Sequence, residues 1–319
     1  MQRSLRAQCR VPMELAGRRL DQALVELFPD YSRSRLQQWV REGRVQLDAR
    51  RPKSKDKLRG GELIELDAVM EEQGEWEAEP IALQVVYEDD DLLVIDKPPG
   101  LVVHPAAGHA GGTLLNALLH HAPALKHLPR AGIVHRLDKD TSGLLVVAKS
   151  LRAHKSLVEQ LRVRSMSREY LALVQGVVIA GGTVEGAIGR HPVDRKRMAL
   201  VSSGKEATTH YRVLARYRGQ SLLRVALETG RTHQIRVHMA HIRHPLVGDP
   251  VYGGRPRPPA GASEALREAL QGFRRQALHA ARLALAHPAD GRPVVWEAPA
   301  PADMQALIAA LEADAEAHA

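Results

Sequence analysis

The sequence has little cysteine, few aromatic residues and no long apolar run. Cys9 is the single cysteine among 319 residues, so neither an intrachain disulfide nor a cysteine-rich zinc site can form. Aromatic residues make up 3% and apolar residues 44%, so Leu, Val, Ala and Ile must build the core. No apolar run approaches the roughly 18–20 residues of a membrane-spanning helix, and the basic N-terminus lacks the apolar segment of a signal peptide. We therefore expect a soluble, cytoplasmic protein.

Positive charge is concentrated in two blocks that an acidic block separates. Residues 1–59 carry 15 bases and 7 acids, residues 60–96 hold 13 acids and no base, and residues 97–319 have 30 bases and 17 acids. Two basic blocks indicate two surfaces that bind the same polyanion. An arginine-rich surface facing solvent would give the same totals.

Residues 1–75 form the first predicted domain. Leucines at helical spacing before Pro29 predict one helix, and Ser32 is a candidate N-cap for a second helix that ends at Gly43. Two short alternating runs then predict strands, at residues 45–47 and 63–66. Residues 67–82 are acidic and contain Gly and Pro without periodicity, so we interpret them as a linker.

This helix–helix–strand pattern resembles the S4-type RNA-binding domain through its motifs RRLD, SRSRL and GRV. In that family the second helix and the loop after it lie against RNA phosphates. The resemblance therefore implies RNA contacts for five basic residues, Arg33, Arg35, Arg44, Lys53 and Lys55. The alternative is a basic helical cap on a larger domain.

Residues 83–319 form the second predicted domain. Strand-like apolar runs follow one another here without strict alternation with helices, which favours an α+β fold over a parallel α/β fold. We expect a mixed, largely antiparallel central sheet with flanking helices. The predicted helices are LLNALLHH, LRAHKSLVEQLRVRS, RTHQIRVHMAHI and a last one after Pro301.

Spacing disfavours several kinds of catalytic site. The Gly-rich run at 108–113 lacks the Gly-Lys-Ser/Thr of a P-loop. Four histidines lie between residues 233 and 244, but without HExxH at most two share a helix face, so a zinc site is disfavoured. Asp138 and Asp140 lie too close in the chain for the paired carboxylates of a glycosidase. We expect no metal and no cofactor.

The segment HRLDKDTSGLLVVAK, residues 135–149, places Asp138 between Arg136 and Lys139 just before an apolar run. Taken alone, this pattern is compatible with an aspartate that caps a turn before a buried strand. The longer context changes that interpretation.

Four motifs occur together in one order: VIDKPPGLVVHP, HRLDKDTSGLLVVAK, REYLALVQG and ETGRTHQIRVHMAHIRHPLVGDPVYG. They resemble the RluA/RluD family of RNA pseudouridine synthases, and most closely its RluD-type large-subunit rRNA branch, which also carries an N-terminal S4-type domain. The resemblance implies isomerisation of uridine to pseudouridine in large-subunit (23S) ribosomal RNA. In this reaction the uridine is flipped out and its glycosidic bond moves from N1 to C5, without metal, redox cofactor or nucleotide. We expect a monomer that binds this RNA or its precursor particles.

The resemblance also implies roles for individual residues. Asp138 would be the ionised carboxylate that attacks the sugar or takes its C2′ proton, and Arg231 would be its basic partner. Tyr170 would stack on the displaced base and is a candidate to move the C5 proton. Arg136 would fill the gap left by the flipped uridine. The further candidates for RNA binding on these motifs are Lys97, His135, Thr141, His233 and Gln234.

Three alternatives stay open at this point. One is a catalytically silent RNA-binding or ribosome-assembly module, and another is a nucleosidase or glycosylase that would release free base. The third is a pseudouridine synthase that acts on tRNA.

Overall fold

The computed structural model describes residues 3–28, 33–70, 76–105, 111–194 and 197–318, without the side chains of residues 3–5, 33–35 and 69–70. Within these ranges no helix is both long and apolar enough to cross a membrane. The chain divides into two compact units, Met1–Trp76 and Glu77–Ala319.

The first unit packs two helices on a small antiparallel sheet with the strand order β1-β3-β2. Its elements are β1 (Arg3–Arg10), α1 (Leu20–Leu27), α2 (Arg33–Glu42), β2 (Val45–Leu47) and β3 (Leu63–Met70). The predicted helices and strands are confirmed, and α1 and α2 bury Leu20, Leu24, Leu36 and Trp39. Each such side chain contributes roughly 1.5–3 kcal/mol by leaving water.

β1 was not predicted, because its pattern is only weakly apolar. Arg6 and Gln8 are exposed, while the small side chains of Ala7 and Cys9 contact the core from the other face. β1 pairs along β3 as far as Met70, so the first residues of the expected linker belong to this sheet. Of the rest of that linker, residues 71–75 lie outside the described residues.

The second unit begins before the predicted start at residue 83. The side-chain amide of Asn116 donates to the carbonyl oxygen of Glu77 at 2.8 Å, and the backbone N–H of Gly112 donates to Glu79 Oε1 at 2.8 Å. Residues 77–79 are thus anchored at the start of a helix of this unit, and the expected linker 67–82 was too long at both ends.

The central sheet of the second unit is mixed and largely antiparallel, as predicted. Its order is β4-β5-β6-β13-β7-β12-β11-β8, with β14 added to β13, and only β6 and β13 pair in parallel among the described strands. Its strands are β4 (Val85–Glu88), β5 (Leu92–Lys97), β6 (Ser142–Ala148), β7 (Ser167–Gln175), β8 (Gly182–Glu185), β11 (Thr208–Arg216), β12 (Gln220–Leu227), β13 (Leu278–Ala286) and β14 (Pro293–Glu297). A separate hairpin consists of β9 (Ile188–Arg190) and β10 (Met198–Leu200).

Helices cover this sheet on the sides where its strands are apolar. They are α3 (Leu114–His121), α4 (Leu151–Arg162), α5 (Gln234–His241), α6 (Glu264–Gly272) and α7 (Ala302–Glu316). Ala153 and Leu157 of α4 pack against Val94 and Val146, while α6 and α7 pack near Leu173. The four predicted helices are confirmed, although α4 ends at Arg162, three residues before its predicted end, and α5 begins later than predicted. The sequence did not predict α6.

α5 begins at Gln234, three residues later than predicted. His233 has a φ of 57°, in the left-handed region that is uncommon for residues other than glycine. Arg231 and Thr232 therefore lie in a turn before the helix. This turn faces the loop before β6 and the strand β7, where the predicted catalytic residues lie.

Candidate active site

A buried lysine holds the loop that carries Asp138. Lys97, the last residue of β5, is 0% exposed, and its Nζ donates to the carbonyl oxygens of Pro98 (2.7 Å), Leu101 (3.0 Å) and Lys139 (2.9 Å). Burial lowers the pKa of Lys97 to about 8, against the opposing attraction of Asp140 and Asp138. The expectation that Lys97 contacts RNA is wrong, because the side chain has no exposed surface and all three N–H donors are used on the protein.

His135 and Thr141 attach the two ends of the same loop to the fold. The backbone N–H of Val146 donates to His135 Nε2 at 3.0 Å, and burial lowers the pKa of this imidazole to about 3, so it is neutral. Thr141 is 2% exposed and its Oγ1 accepts from Gln276 Nε2 at 3.0 Å. The expected RNA contact of Thr141 is wrong, because its side chain is buried. His135 uses its Nε2 for a hydrogen bond inside the protein.

The guanidinium that pairs with Asp138 belongs to Arg236 in α5. Its Nη1 lies 3.1 Å from Asp138 Oδ2, across 98 residues of chain. The same guanidinium donates from Nε and Nη2 to the two carboxylate oxygens of Asp249, at 2.7 and 2.9 Å. Burial opposes ionisation of Asp249, but the hydrogen bonds from Arg236 hold the pKa of this carboxyl below its usual value. Two carboxylates thus share one buried cation.

Arg231 does not pair with Asp138, and that expectation is corrected to Arg236. Arg231 is exposed, and its Nε donates to the carbonyl oxygen of Glu206 at 3.2 Å. It lies in the turn, whereas Arg236 lies in the helix between the apolar residues Ile235 and Val237. The sequence contained a signal for this pair: an arginine between apolar residues is expected to be buried, and a buried guanidinium needs a carboxylate partner.

His233 and Tyr252 complete the wall of the site near Asp138. His233 Nε2 lies 3.9 Å from Asp138 Oδ2, and its Nδ1 is hydrogen-bonded to the Tyr252 hydroxyl at 3.0 Å. Burial lowers the pKa of His233 even though Asp138 favours its charged form. The guanidinium carbon of Arg236 lies 5.1 Å from the centre of the Tyr252 ring, which is within cation–π distance. The site therefore contains a neutral imidazole next to the carboxylate.

Gln234 has a structural role instead of the expected role in RNA binding. It is 3% exposed, and its Nε2 donates to the Thr208 carbonyl (2.9 Å) and to Thr209 Oγ1 (3.0 Å). Its Oε1 accepts from the Thr229 hydroxyl (2.7 Å) and the Arg231 N–H (3.0 Å). Gln234 thereby fixes the turn before α5.

Tyr170 lies on the buried face of β7. It is 6% exposed, and burial raises the pKa of its hydroxyl; the charge of Asp138 adds to this shift. Its phenol is therefore neutral at neutral pH. Arg136, two residues before Asp138, is exposed.

The expected RNA-binding residues of the first unit are exposed where the structure describes them. Arg44, Lys53 and Lys55 are all on the surface. Arg33 and Arg35 lie at the start of α2, and their side chains are outside the described part of the structure.

This arrangement can supply one carboxylate held by a guanidinium, a neutral phenol and a neutral imidazole. In the described ranges no three His, Cys, Asp or Glu side chains are grouped as metal ligands. His238 of the histidine-rich segment is buried and hydrogen-bonded to Thr209 Oγ1 at 2.9 Å.

Comparisons with known proteins show which family this chain resembles. Residues 91–241 match the family model for RNA pseudouridylate synthase, and residues 18–64 match the S4 domain. The chain is 58% identical, over 96% of both proteins, to the ribosomal large subunit pseudouridine synthase D of Pseudomonas aeruginosa. It is 56% identical to the protein of the same name in Escherichia coli K12, over 95% of this chain and 93% of that protein.

A solved structure shows the same fold. Human RNA pseudouridylate synthase domain containing 4 matches 72% of this chain and 93% of its own, with 26% identity and a TM-score of 0.56. The match to the bacterial enzyme covers 96% of this chain, and the pseudouridylate synthase model covers the segments that carry Asp138, Tyr170 and Arg236. The chain belongs to the family of RNA pseudouridine synthases, with an S4 domain at its N-terminus.

Proposed function

We propose that this protein isomerises uridines to pseudouridine in large-subunit ribosomal RNA. The observation that carries the proposal is the contact between Asp138 and the buried Arg236, beside Tyr170, in a chain so similar to large-subunit synthases. Such a site suits a rearrangement within one nucleotide, which needs a carboxylate and a proton carrier.

Asp138 carries the central step. Its carboxylate either attacks C1′ and displaces N1 of uracil, or takes the C2′ proton while the C1′–N1 bond breaks to give a glycal. The uracil then turns, its C5 bonds to C1′, and the C5 proton is lost. Both routes need the carboxylate in its ionised form. Arg236 Nη1 donates to this carboxylate at 3.1 Å, and such an ion pair offsets part of the cost of burying a charge. Tyr170 stacks on the detached uracil, and its neutral hydroxyl is the proposed carrier of the C5 proton.

The target uridine must leave its helix, because C1′ and C5 have to be reached in turn. Arg136 is exposed on the catalytic loop and fills the space that the flipped base leaves. Unstacking costs a few kcal/mol, and least where the base is unpaired. Arg136 therefore matters most at structured sites.

The first unit adds affinity for RNA through phosphate contacts. Its proposed contact residues are Arg33, Arg35, Arg44, Lys53 and Lys55. Such contacts fix register on the RNA but do not read sequence. We also propose that the enzyme is a monomer and acts in the cytoplasm. Its single cysteine agrees with a reducing compartment.

The test uses large-subunit RNA that carries tritium at uridine C5. Formation of the new C–C bond releases this hydrogen, so tritium should enter water in proportion to pseudouridine, without free uracil or strand cleavage. Free uracil would instead identify a glycosylase. If neither pseudouridine nor free uracil forms, the protein is a catalytically silent RNA binder. If tritium is released from tRNA alone, the substrate is tRNA and not ribosomal RNA.

A further inference from the structure

Arg168 is a buried arginine that has no ion-pair partner among the described residues. It lies on β7, two residues before Tyr170 and therefore on the same face of the strand. It is 8% exposed, and its Nε is buried with no hydrogen-bond partner. Arg236, which is similarly buried, pairs with two carboxylates.

The guanidinium of Arg168 lies against Gly230, in the turn before α5. Its charge opposes the rise that burial causes in the pKa of Tyr170, and it adds to the fall that burial causes in the pKa of His135. A Cβ placed on Gly230 would lie 2.9 Å from Arg168 Nη1. The side chain thus lies between β7 and the turn before α5, next to the tyrosine that stacks on the base.

A buried cation without a partner is expensive, and no described side chain neutralises this one, so a bound anion would stabilise it. RNA carries one anion per nucleotide, its phosphate, and the planar fork of arginine matches phosphate oxygens. A uracil carbonyl could accept one hydrogen bond from Arg168 but would leave its charge uncompensated. A phosphate accepts hydrogen bonds and also compensates the charge.

We propose that Arg168 binds a phosphate group that flanks the flipped uridine. This inference rests on the proposed function, since it needs the uridine to enter this site. Gly230 makes the contact accessible: any side chain there would displace Nη1 of Arg168. Arg168 and Gly230 together add a substrate-binding position between the base-stacking Tyr170 and the turn that leads to Arg236.

The test combines a change in the protein with a change in the RNA. Binding is measured with Asp138→Asn protein, which holds RNA without turnover, and with Asp138→Asn/Arg168→Gln. Each RNA carries either a phosphate or a neutral methylphosphonate at one of the two linkages that flank the target uridine. All RNAs share the same 2′-O-methyl groups, so that only the charge of one linkage differs.

Neutralising the contacted phosphate should weaken binding to the Arg168 protein roughly tenfold or more, as expected for a hydrogen bond to a charged group. The same change should cost less than about twofold when residue 168 is Gln, because the partner is already gone. Arg168→Lys should give an intermediate penalty, since it keeps the charge and removes the fork. Equal penalties in the Arg and Gln proteins at both linkages would overturn the proposal.

The matched control is Arg224→Gln on the neighbouring strand β12. Arg224 is exposed, lies opposite Leu171 on the other face of the sheet, and has Glu169 at 3.8 Å. This variant should keep the full methylphosphonate penalty. Disappearance of the penalty in the control as well would contradict a specific contact.

A second route does not alter Arg168 itself. Gly230→Ala should reduce the methylphosphonate penalty by displacing the guanidinium, whereas Gly272→Ala in α6, where nothing lies within 4 Å of an added Cβ, should not. The melting temperature of Arg168→Gln should equal or exceed that of wild type, because an unpaired buried charge is removed. If wild type releases no tritium from any RNA, the proposed function fails; if it is active but the penalties are independent of residue 168, only this inference fails.

Discussion

Replacing Arg236 by Gln should destabilise the protein far more than replacing Arg231 by Gln. Arg236 Nη1 lies 3.1 Å from Asp138, and two further hydrogen bonds bind it to Asp249, whose side chain is 0% exposed. Removing one member of a buried ion pair typically costs about 3–5 kcal/mol. Arg231 is exposed and makes one hydrogen bond to a carbonyl oxygen, so its replacement should stay within about 0.5 kcal/mol.

The loss of stability caused by Arg236→Gln should depend on pH in a defined direction. Arg236 lowers the pKa of Asp249 in the folded state. A depressed carboxyl pKa contributes stability that is complete above the unfolded value, about 3.9, and is lost as the pH falls through the folded value. The destabilisation by Arg236→Gln should therefore be largest near pH 7 and shrink below about pH 4.

The assay is urea unfolding of wild type and both variants at a series of pH values, with tritium release from ribosomal RNA measured in parallel. Arg236→Gln should lose nearly all activity, since Asp138 then lacks its cation, and Arg231→Gln should keep most of it. Equal stabilities for the two variants, or a larger drop in activity for Arg231→Gln, would refute the pairing described here.

Three further predictions concern the chemistry and the RNA surface. Asp138→Asn should abolish tritium release with little change in RNA affinity or melting temperature, and substantial residual turnover would remove Asp138 from the central step. Tyr170→Phe keeps the ring and removes the hydroxyl, so turnover should fall at least tenfold while binding changes less than about twofold; wild-type turnover would leave Tyr170 only a stacking role. Changing Arg44, Lys53 and Lys55 together to Gln should make the salt dependence of RNA binding shallower, by about 0.7–0.9 for each phosphate that these side chains no longer neutralise. An unchanged slope would mean that these residues face away from RNA.

The sequence alone determined most elements and the position of the catalytic loop. Helices such as α3 and α4 have strong apolar periodicity and local caps, for instance the Ser150 side chain that accepts from the Ala153 N–H at 3.0 Å. Such signals lie within a few residues, so they can be recognised without the fold. The succession of strands without alternating helices can also be read from the sequence, and it indicated a mixed sheet. β1 was not predicted, because its charged residues leave only a weak alternation of apolar and polar positions.

The tertiary structure decided which groups meet Asp138 and which motif residues are buried. The order β6-β13-β7 and the position of α5 bring Arg236 to Asp138 across 98 residues, whereas the family resemblance implied Arg231 as the partner. Lys97, Thr141 and Gln234 carry polar atoms typical of a binding surface, yet the fold buries all three and uses those atoms to hold its own loops. Burial and ion pairing depend on chain segments far apart in sequence, so they appear only when the strands are assembled.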